Sequence, residues 1–386
     1  MKVLILHKWL VIGGIERILI NYLNLLKDKP NFQLDLLIAF DTPNSVLARE
    51  IPNIVKTYYL FDKSYYQTQQ DIYKNRNKNI IQKIKYKLYR INEKRVSRKK
   101  VNKMISNYDI VINFSNHFDQ FLNFKKIDIP IIRWQHSALE NKKSKLGLRE
   151  ISYLKKYDHI VAICKEMKKD IQSKSGIASH QITYIYNPID FENIKKLSEQ
   201  YKINIEKPYL IQVARLEKSK NHIALIEIYA ELLKKGVNHC LYIIGNGPEY
   251  NMLSQKIKQL NLEQYCILLG EINNPYPYIR DADLFLHTSE KEGLPTVLLE
   301  SAILETPIVA MNCPTGVKEI LNNGECGELI SLGNNTEFID KTYALIKNHS
   351  LQQEYKKHMK DHLISFSEKT TKKRFLSLLN SINKNK

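Results

Sequence analysis

Short apolar runs recur along the chain in two series, and each run closes on a polar tip. In the first series, residues 3–6, 34–40, 110–113, 129–133 and 159–163 show little alternation of apolar and polar positions. That pattern predicts strands buried on both faces of a parallel sheet. The second series restarts at 209–214 and continues through 241–244, 267–270, 282–286, 308–310 and 327–330. Helical spacing fills the gaps: from about Ile15 to Leu26 after Gly13-Gly14, from about Asn221, through Val297–Ala302, and over 369–380. Pro188 breaks regular structure and favours an extended residue before it. The polar stretch that follows separates the series. The reading is α/β with two Rossmann-like, doubly wound parallel-sheet domains. The first covers 1–190 with a basic insertion over about 63–105, 191–207 is a linker, and 208–366 is the second domain. A helix within 367–386 returns to the first.

Composition narrows the class. The chain has 386 residues, 43% of them hydrophobic, enough for a core in each domain. The longest apolar runs are strand-sized, so no transmembrane span is expected, and Met1 to His7 reads as a short strand rather than a signal peptide. The five cysteines, Cys164, Cys240, Cys266, Cys313 and Cys326, form no C-x-x-C pair and no metal-ligand spacing. A reducing, cytoplasmic setting with no structural metal is expected.

A formal charge of +19 changes the picture, because it favours polyanionic surroundings. The charge is concentrated at 74–103, where Lys83, Lys87, Arg90, Lys94 and Arg98 stand among further cations and Glu93 is the single acid. Ile84, Leu88 and Ile91 follow i, i+4, i+7 spacing, which predicts an amphipathic, cation-coated helix. Three readings are open: a solvated helix on its own domain, a nucleic-acid patch, and docking to an anionic membrane surface. The nucleic-acid reading lacks interleaved aromatics and a recognition motif. Membrane docking is the favoured expectation, because each near-surface Lys or Arg contributes roughly 1 kcal/mol there.

The most informative stretch is 287–300, HTSEKEGLPTVLLE. An apolar run delivers a polar loop to a helix start, and Pro295 suits a first turn because its missing N–H has no acceptor there. The amides of Gly293, Leu294, Thr296 and Val297 are then free to meet an anion. Glu300 lies among apolar neighbours, where a carboxylate needs a polar partner. A phosphate site flanked by Glu292 and Glu300 suits a nucleotide-sugar. In the loop after 209–214, Arg215 and Lys220 can neutralise a diphosphate, Arg as a planar fork and Lys as a point charge. Gly13-Gly14 is a short form of a phosphate loop or a plain tight turn. His117 and His136 follow predicted strands, at the end of a parallel sheet where ligands bind.

E-x7-E from Glu292 to Glu300 and R-x4-K from Arg215 to Lys220, with TYIYNPID and Gly245-Asn246-Gly247-Pro248, resemble the motifs of family 4 retaining glycosyltransferases. The resemblance spans nearly the whole chain and is absent over about 55–108. It implies a GT-B fold, two Rossmann-like domains facing across a cleft, with the donor held by the second and the acceptor entering from the first. Glu300 would bind ribose hydroxyls, Glu292 would contact the transferred sugar, and Arg215, Lys220 and the 293–297 amides would stabilise the diphosphate. Gly13 and Gly14 would face that diphosphate, and His136 would stand beside the donor sugar. His117 has less support. Because Arg and Lys carry the donor charge, no divalent metal and no cofactor is expected; the nucleotide-sugar is a substrate. The implied acceptor is a glycan or a lipid-linked saccharide in bacterial surface-polysaccharide, lipopolysaccharide or capsule synthesis, on the inner face of the cytoplasmic membrane. A nucleotide-sugar 2-epimerase of the same fold and a non-enzymatic basic binding protein are the alternatives.

Overall fold

The apolar runs form two all-parallel sheets, in a computed structural model that describes residues 1–11 and 13–384. Ile12 and the last two positions of the segment expected over 367–386 lie outside the described residues. The chain divides into two units. The first comprises 1–163, 168–188 and the segment from Thr371 on; the second comprises 164–167 and 189–370.

In unit 1 the strands are β1 (Lys2–His7), β2 (Gln33–Phe40), β3 (Thr57–Phe61), β4 (Ile110–Asn113), β5 (Ile131–Gln135), β6 (His159–Ala162) and β7 (Ile182–Tyr184). Their order is β3-β2-β1-β4-β5-β6-β7. Leu36, Ile5, Ile112 and Ile132 lie side by side across four strands, and all are fully buried, as strands covered on both faces require. Two strands escape the hydrophobic pattern. Both lie at the sheet's edges, and in β3 Tyr58 and Tyr59 are about 40% exposed. The run expected at 129–133 begins two residues later, because Pro130 has no N–H to give a ladder. The helix Glu368–Lys384 packs its later part on unit 1: Phe375 is buried against Tyr22 and Trp134, at ring distances of 5.5 and 5.6 Å.

The basic insertion is a pair of helices, Lys63–Asn75 and Ile80–Ile105, capped by Asp62 and Asn79 side chains. The second helix changes character along its length. Val101 and Ile105 enter the core with Phe61 and Phe118. Ile80, Ile81, Ile84, Leu88 and Ile91 instead face solvent, 54–75% exposed. The apolar stripe exists as expected, and more than half of each of its residues is left in solvent.

Unit 2 contains β8 (Tyr209–Val213), β9 (Cys240–Ile244), β10 (Cys266–Gly270), β11 (Leu284–His287), β12 (Ile308–Met311) and β13 (Glu328–Ile330), ordered β10-β9-β8-β11-β12-β13. Tyr242, Ile211, Phe285 and Ile308 form its central row. The stretch read as a linker, 191–207, opens instead with a helix of this unit. Asp190 caps Phe191–Ser198 by accepting from Asn193 N at 2.9 Å, and Asn274 binds the carbonyl of Leu197 at 2.8 Å. Its polarity reflects an exposed face rather than an absence of structure. All five cysteines are buried and free. Among the described residues no helix is long and apolar enough to cross a membrane.

Candidate active site

Both sheets reverse their strand order once, between the first and fourth strands of the unit, and such a switch point opens a crevice at the strands' carboxyl ends. In unit 2 the switch lies between β8 and β11, and the predicted residues collect there.

The two loops at this crevice are stitched together. Glu290 N donates to Ser219 O at 2.8 Å, and the Thr288 hydroxyl donates to Lys220 O at 3.1 Å. Asn221 adopts left-handed geometry (φ 51°), which Asn tolerates better than most residues. Its side chain caps the helix His222–Lys234. On the other side, Gly247 allows close approach: a Cβ there would stand 2.5 Å from Leu216 O. The Gly-Asn-Gly-Pro turn therefore supports the 214–216 loop from behind.

Glu292 is the centre of the cluster. Lys220 Nζ stands 2.6 Å from its Oε1, and His287 Nε2 stands 3.2 Å from the same atom. Burial alone would raise this carboxyl, but the His287 hydrogen bond and charge and the Lys220 ammonium outweigh it and hold it down at about 2. The backbone is fixed as firmly: Glu292 N donates to Pro314 O at 2.7 Å, and the Thr315 hydroxyl donates to Gly293 O at 2.7 Å. Gly316 (φ 86°) is required beside it, since a Cβ would lie 2.8 Å from Gly293 O. Pro295 is the N-cap rather than a first-turn residue of the helix Thr296–Ile303, and no side chain caps that end. The Thr296 and Val297 amides thus have no intrahelical acceptor. Leu294 contributes only backbone, its side chain being buried. Glu300 lies farther along the helix, where burial pushes its carboxyl up to about 7, partly offset by a hydrogen bond with Thr296.

Arg215 does not join this cluster. Its side chain is 74% exposed and pairs with Glu217 at 3.0 Å, so R-x4-K places only its lysine at the carboxylate. His287, by contrast, is a member that the motif reading missed. The available signal was a histidine ending an apolar run, five positions before Glu292.

In unit 1 the switch lies between β1 and β4. Here too a strand-end histidine meets a glutamate: His7 Nε2 stands 3.1 Å from Glu16 Oε1, both buried. Gly13 is extended, and a side chain there would collide with the Glu16 carboxylate, so this glycine lets Glu16 fold back to His7. A Cβ on Gly14 would meet nothing within 4 Å, which leaves the helix start open. Phe114 packs on His7 and His136, at ring distances of 6.1 and 4.5 Å. His136 is held neutral: burial and the Arg133 charge push it down to about 3, and neither ring nitrogen has a well-formed hydrogen bond. His117 is lowered to about 3 in the same way, by burial and then Lys8 and Arg90.

Of the cations expected to face a membrane, Lys83 and Lys87 are exposed. Lys94 is partly covered, and Arg98 is exposed while donating to Gln120 O at 3.1 Å. Arg90 departs from the expectation. It turns inward to the buried Glu93, at 2.7 Å, because that carboxylate needs a charge partner. Among the described residues no group of three or more His, Cys, Asp or Glu is arranged to hold a metal ion.

Residues 12–193 match the family model described as Glycosyltransferase Family 4, and residues 193–362 match that described as Glycosyl transferases group 1. A Campylobacter jejuni relative named N-acetylgalactosamine-N,N'-diacetylbacillosaminyl-diphospho-undecaprenol 4-alpha-N-acetylgalactosaminyltransferase is 31% identical over 55% of the chain and 57% of its own length. The lipopolysaccharide 1,6-galactosyltransferase of Salmonella typhimurium is 26% identical over 54% of the chain and 56% of its own. The chain thus spans little more than half the length of these curated relatives. Among solved structures, Anabaena HepE in complex with UDP and glucose superposes with a TM-score of 0.76 at 18% identity, covering 99% of this chain and 100% of that one. Staphylococcus aureus TarM in a complex containing UDP gives 0.75 at 15% identity, covering 98% and 99%. At such identities the likeness is one of fold.

Proposed function

The chain is a GT-B protein of the glycosyltransferase family 4 type, and from that premise we propose that it transfers a sugar from a UDP-linked donor to a glycan or lipid-linked acceptor in bacterial surface-glycan synthesis. The observation that carries the reading is the Lys220–Glu292–His287 cluster beside an uncapped helix N-terminus. It joins a cation, fixed amides and a carboxylate, the groups that a sugar diphosphate requires. UDP is named in the HepE and TarM complexes, a diphospho-undecaprenol-linked saccharide in the name of the Campylobacter relative, and lipopolysaccharide in that of the Salmonella one. The epimerase and binding-protein alternatives draw no comparable support.

In the proposed reaction Lys220 and the Gly293, Leu294, Thr296 and Val297 amides receive the diphosphate. Arg215 is exposed, so its guanidinium can swing toward the phosphates without leaving a buried charge behind. These groups act where negative charge grows as the anomeric carbon–oxygen bond breaks. Glu300 accepts hydrogen bonds from the ribose and Glu292 from the sugar's hydroxyls. Retention follows if the acceptor oxygen attacks on the face the diphosphate leaves, with its proton passing to a leaving phosphate oxygen. No cofactor or divalent metal enters this scheme. Chelator-sensitive activity restored by manganese would overturn that part.

The exposed stripe Ile80, Ile81, Ile84, Leu88 and Ile91, flanked by Lys83 and Lys87, suits an anionic membrane surface at the cytoplasmic face. Cosedimentation with anionic liposomes should be lost in Ile84→Glu/Leu88→Glu; unchanged sedimentation would refute docking. For the activity, nucleotide-induced thermal shifts and sugar transfer should be measured with Lys220→Ala and Glu300→Ala beside the wild type. UDP should stabilise the wild type and not these variants. No nucleotide effect at all would refute the reading.

A further inference from the structure

Unit 1 has a crevice whose buried polar groups are not consumed by the fold. His7 is 1% exposed, and its Nδ1 has no hydrogen-bond partner among the described residues. Ser115 Oγ and His117 Nε2, in the loop that leaves β4 beside it, are also buried and unpartnered. Buried polar atoms are ordinarily satisfied, so several left open at one crevice point to a ligand or water that satisfies them. Their position supports this, because β1 and β4 flank the switch point of the sheet.

The chemistry of the crevice limits what can enter. Its cations are already matched: Arg90 is paired with Glu93 at 2.7 Å, and Gln69 binds the same carboxylate at 2.8 Å. Lys8 lays its ammonium over the Trp9 ring, 3.5 Å from the centroid; burial and the Arg90 charge lower it, and Glu16 and Glu93 oppose them. Two formal positive charges therefore face two negative ones, and an anion gains little by entering. A hydroxyl gains more. It can donate to the Glu16 carboxylate and accept from an imidazole N–H or a serine hydroxyl, and aromatic faces stand beside it at Trp9, Phe40 and Phe114.

We propose that the His7–Glu16 pair, with Ser115 and His117, is a recognition site for the hydroxyls of a neutral sugar on the acceptor. This rests on the transferase reading above and sharpens it: the acceptor offers an uncharged glycosyl unit at this crevice, with any phosphate of the acceptor lying elsewhere. Glu16 is assigned an orienting role, and no proton transfer is assigned to it.

The test uses the full-length protein and methyl glycosides of neutral hexoses and N-acetylhexosamines, compared with the same sugars as 6-phosphates. Binding is followed by saturation-transfer NMR and titration calorimetry, with UDP binding recorded in parallel. At least one neutral glycoside should bind and its phosphate bind more weakly. Glu16→Gln and His117→Ala should each weaken the glycoside about tenfold, the scale of one hydrogen bond to a charged or buried partner. UDP affinity should hold within about twofold, a small change on the same scale. His117 lies in a loop and is less buried as a residue than His7, so its variant keeps the test open if Glu16→Gln unfolds. Preferential binding of the phosphates, no binding by any neutral glycoside, or unaffected variants would overturn the proposal. Absence of UDP binding in the wild type would instead refute the transferase reading on which it rests.

Discussion

The two units carry the same local device with different partners. Each ends a central strand in a buried histidine, and each histidine holds a glutamate from the segment that follows: His7 with Glu16, His287 with Glu292. In unit 2 a lysine joins at 2.6 Å and Glu292 sits at about 2. In unit 1 no lysine or arginine among the described residues pairs with Glu16. Burial raises that carboxyl, and only hydrogen bonding and the His7 charge bring it below its ordinary value. A lysine paired directly with the carboxylate separates a crevice suited to a diphosphate from one suited to hydroxyls, on strand orders that are otherwise alike.

The sharpest way to break this comparison is to remove the shared carboxylates one at a time. Glu292→Ala should lower kcat/KM by about 10²–10³, since it removes the carboxylate that meets the sugar's hydroxyls and leaves the partly buried Lys220 ammonium without its partner. Glu16→Ala should raise acceptor KM and leave UDP affinity alone. Steady-state kinetics with both substrates varied would check this, and the reverse assignment would dissolve the distinction between the crevices.

Next in size is the cation. Lys220→Ala should weaken UDP by about tenfold to a hundredfold, the range for a charge-assisted contact. Arg215→Ala should cost less, since its side chain begins largely in solvent and must be ordered on binding. Calorimetric titration ranks the two. An Arg215 effect as large as that of Lys220 would mean that the arginine is the principal phosphate ligand.

A smaller effect depends on pH. Glu300, raised from 4.5 to about 7, is half protonated near neutrality, while ribose hydroxyls favour its ionised form. UDP affinity should therefore fall as pH drops from 8 to 6, by at most about tenfold per unit. The stability sign is opposite for the free protein: a raised carboxyl contributes stability below 4.5 that is lost as pH rises through 7. Glu300→Gln should flatten both profiles. A wild-type affinity independent of pH would remove the carboxylate from the ribose site.

How much of this was legible beforehand follows from what each feature depends on. Arg215 with Lys220, and Glu292 with Glu300, stood out because each pair lies close in sequence beside its own strand-to-helix turn. Burial on both faces made the central strands legible, and its absence hid β3, where Tyr58 and Tyr59 look outward. Pair formation was not legible at all. Nothing in the spacing says that Glu16 folds back past Gly13 to His7, or that Arg215 turns away while Lys220 turns in. The basic helix divides likewise: its cations could be counted, but that its isoleucines face solvent depends on Val101 and Ile105 having taken the core.

The smallest effect tests whether His287 is part of the device or only fills space. Glu292 lies at about 2 because His287 and Lys220 together outweigh its burial. Replacing the ring by Gln preserves a donor but removes any charge, so the carboxyl should move upward without losing its place. Its contribution to stability, present above 4.5 and lost as pH falls through about 2, should then begin to fail at a higher pH. The acid limb of the kcat profile should shift in the same direction. At neutral pH, where Glu292 is ionised in both proteins, His287→Gln should cost only a few-fold in kcat, about 1 kcal/mol on the scale of one hydrogen bond. His287→Ala removes the donor as well and should cost more. An alanine variant with the wild-type acid limb would show that Lys220 alone sets Glu292, and the likeness between the two crevices would then be one of shape without a shared electrostatic role.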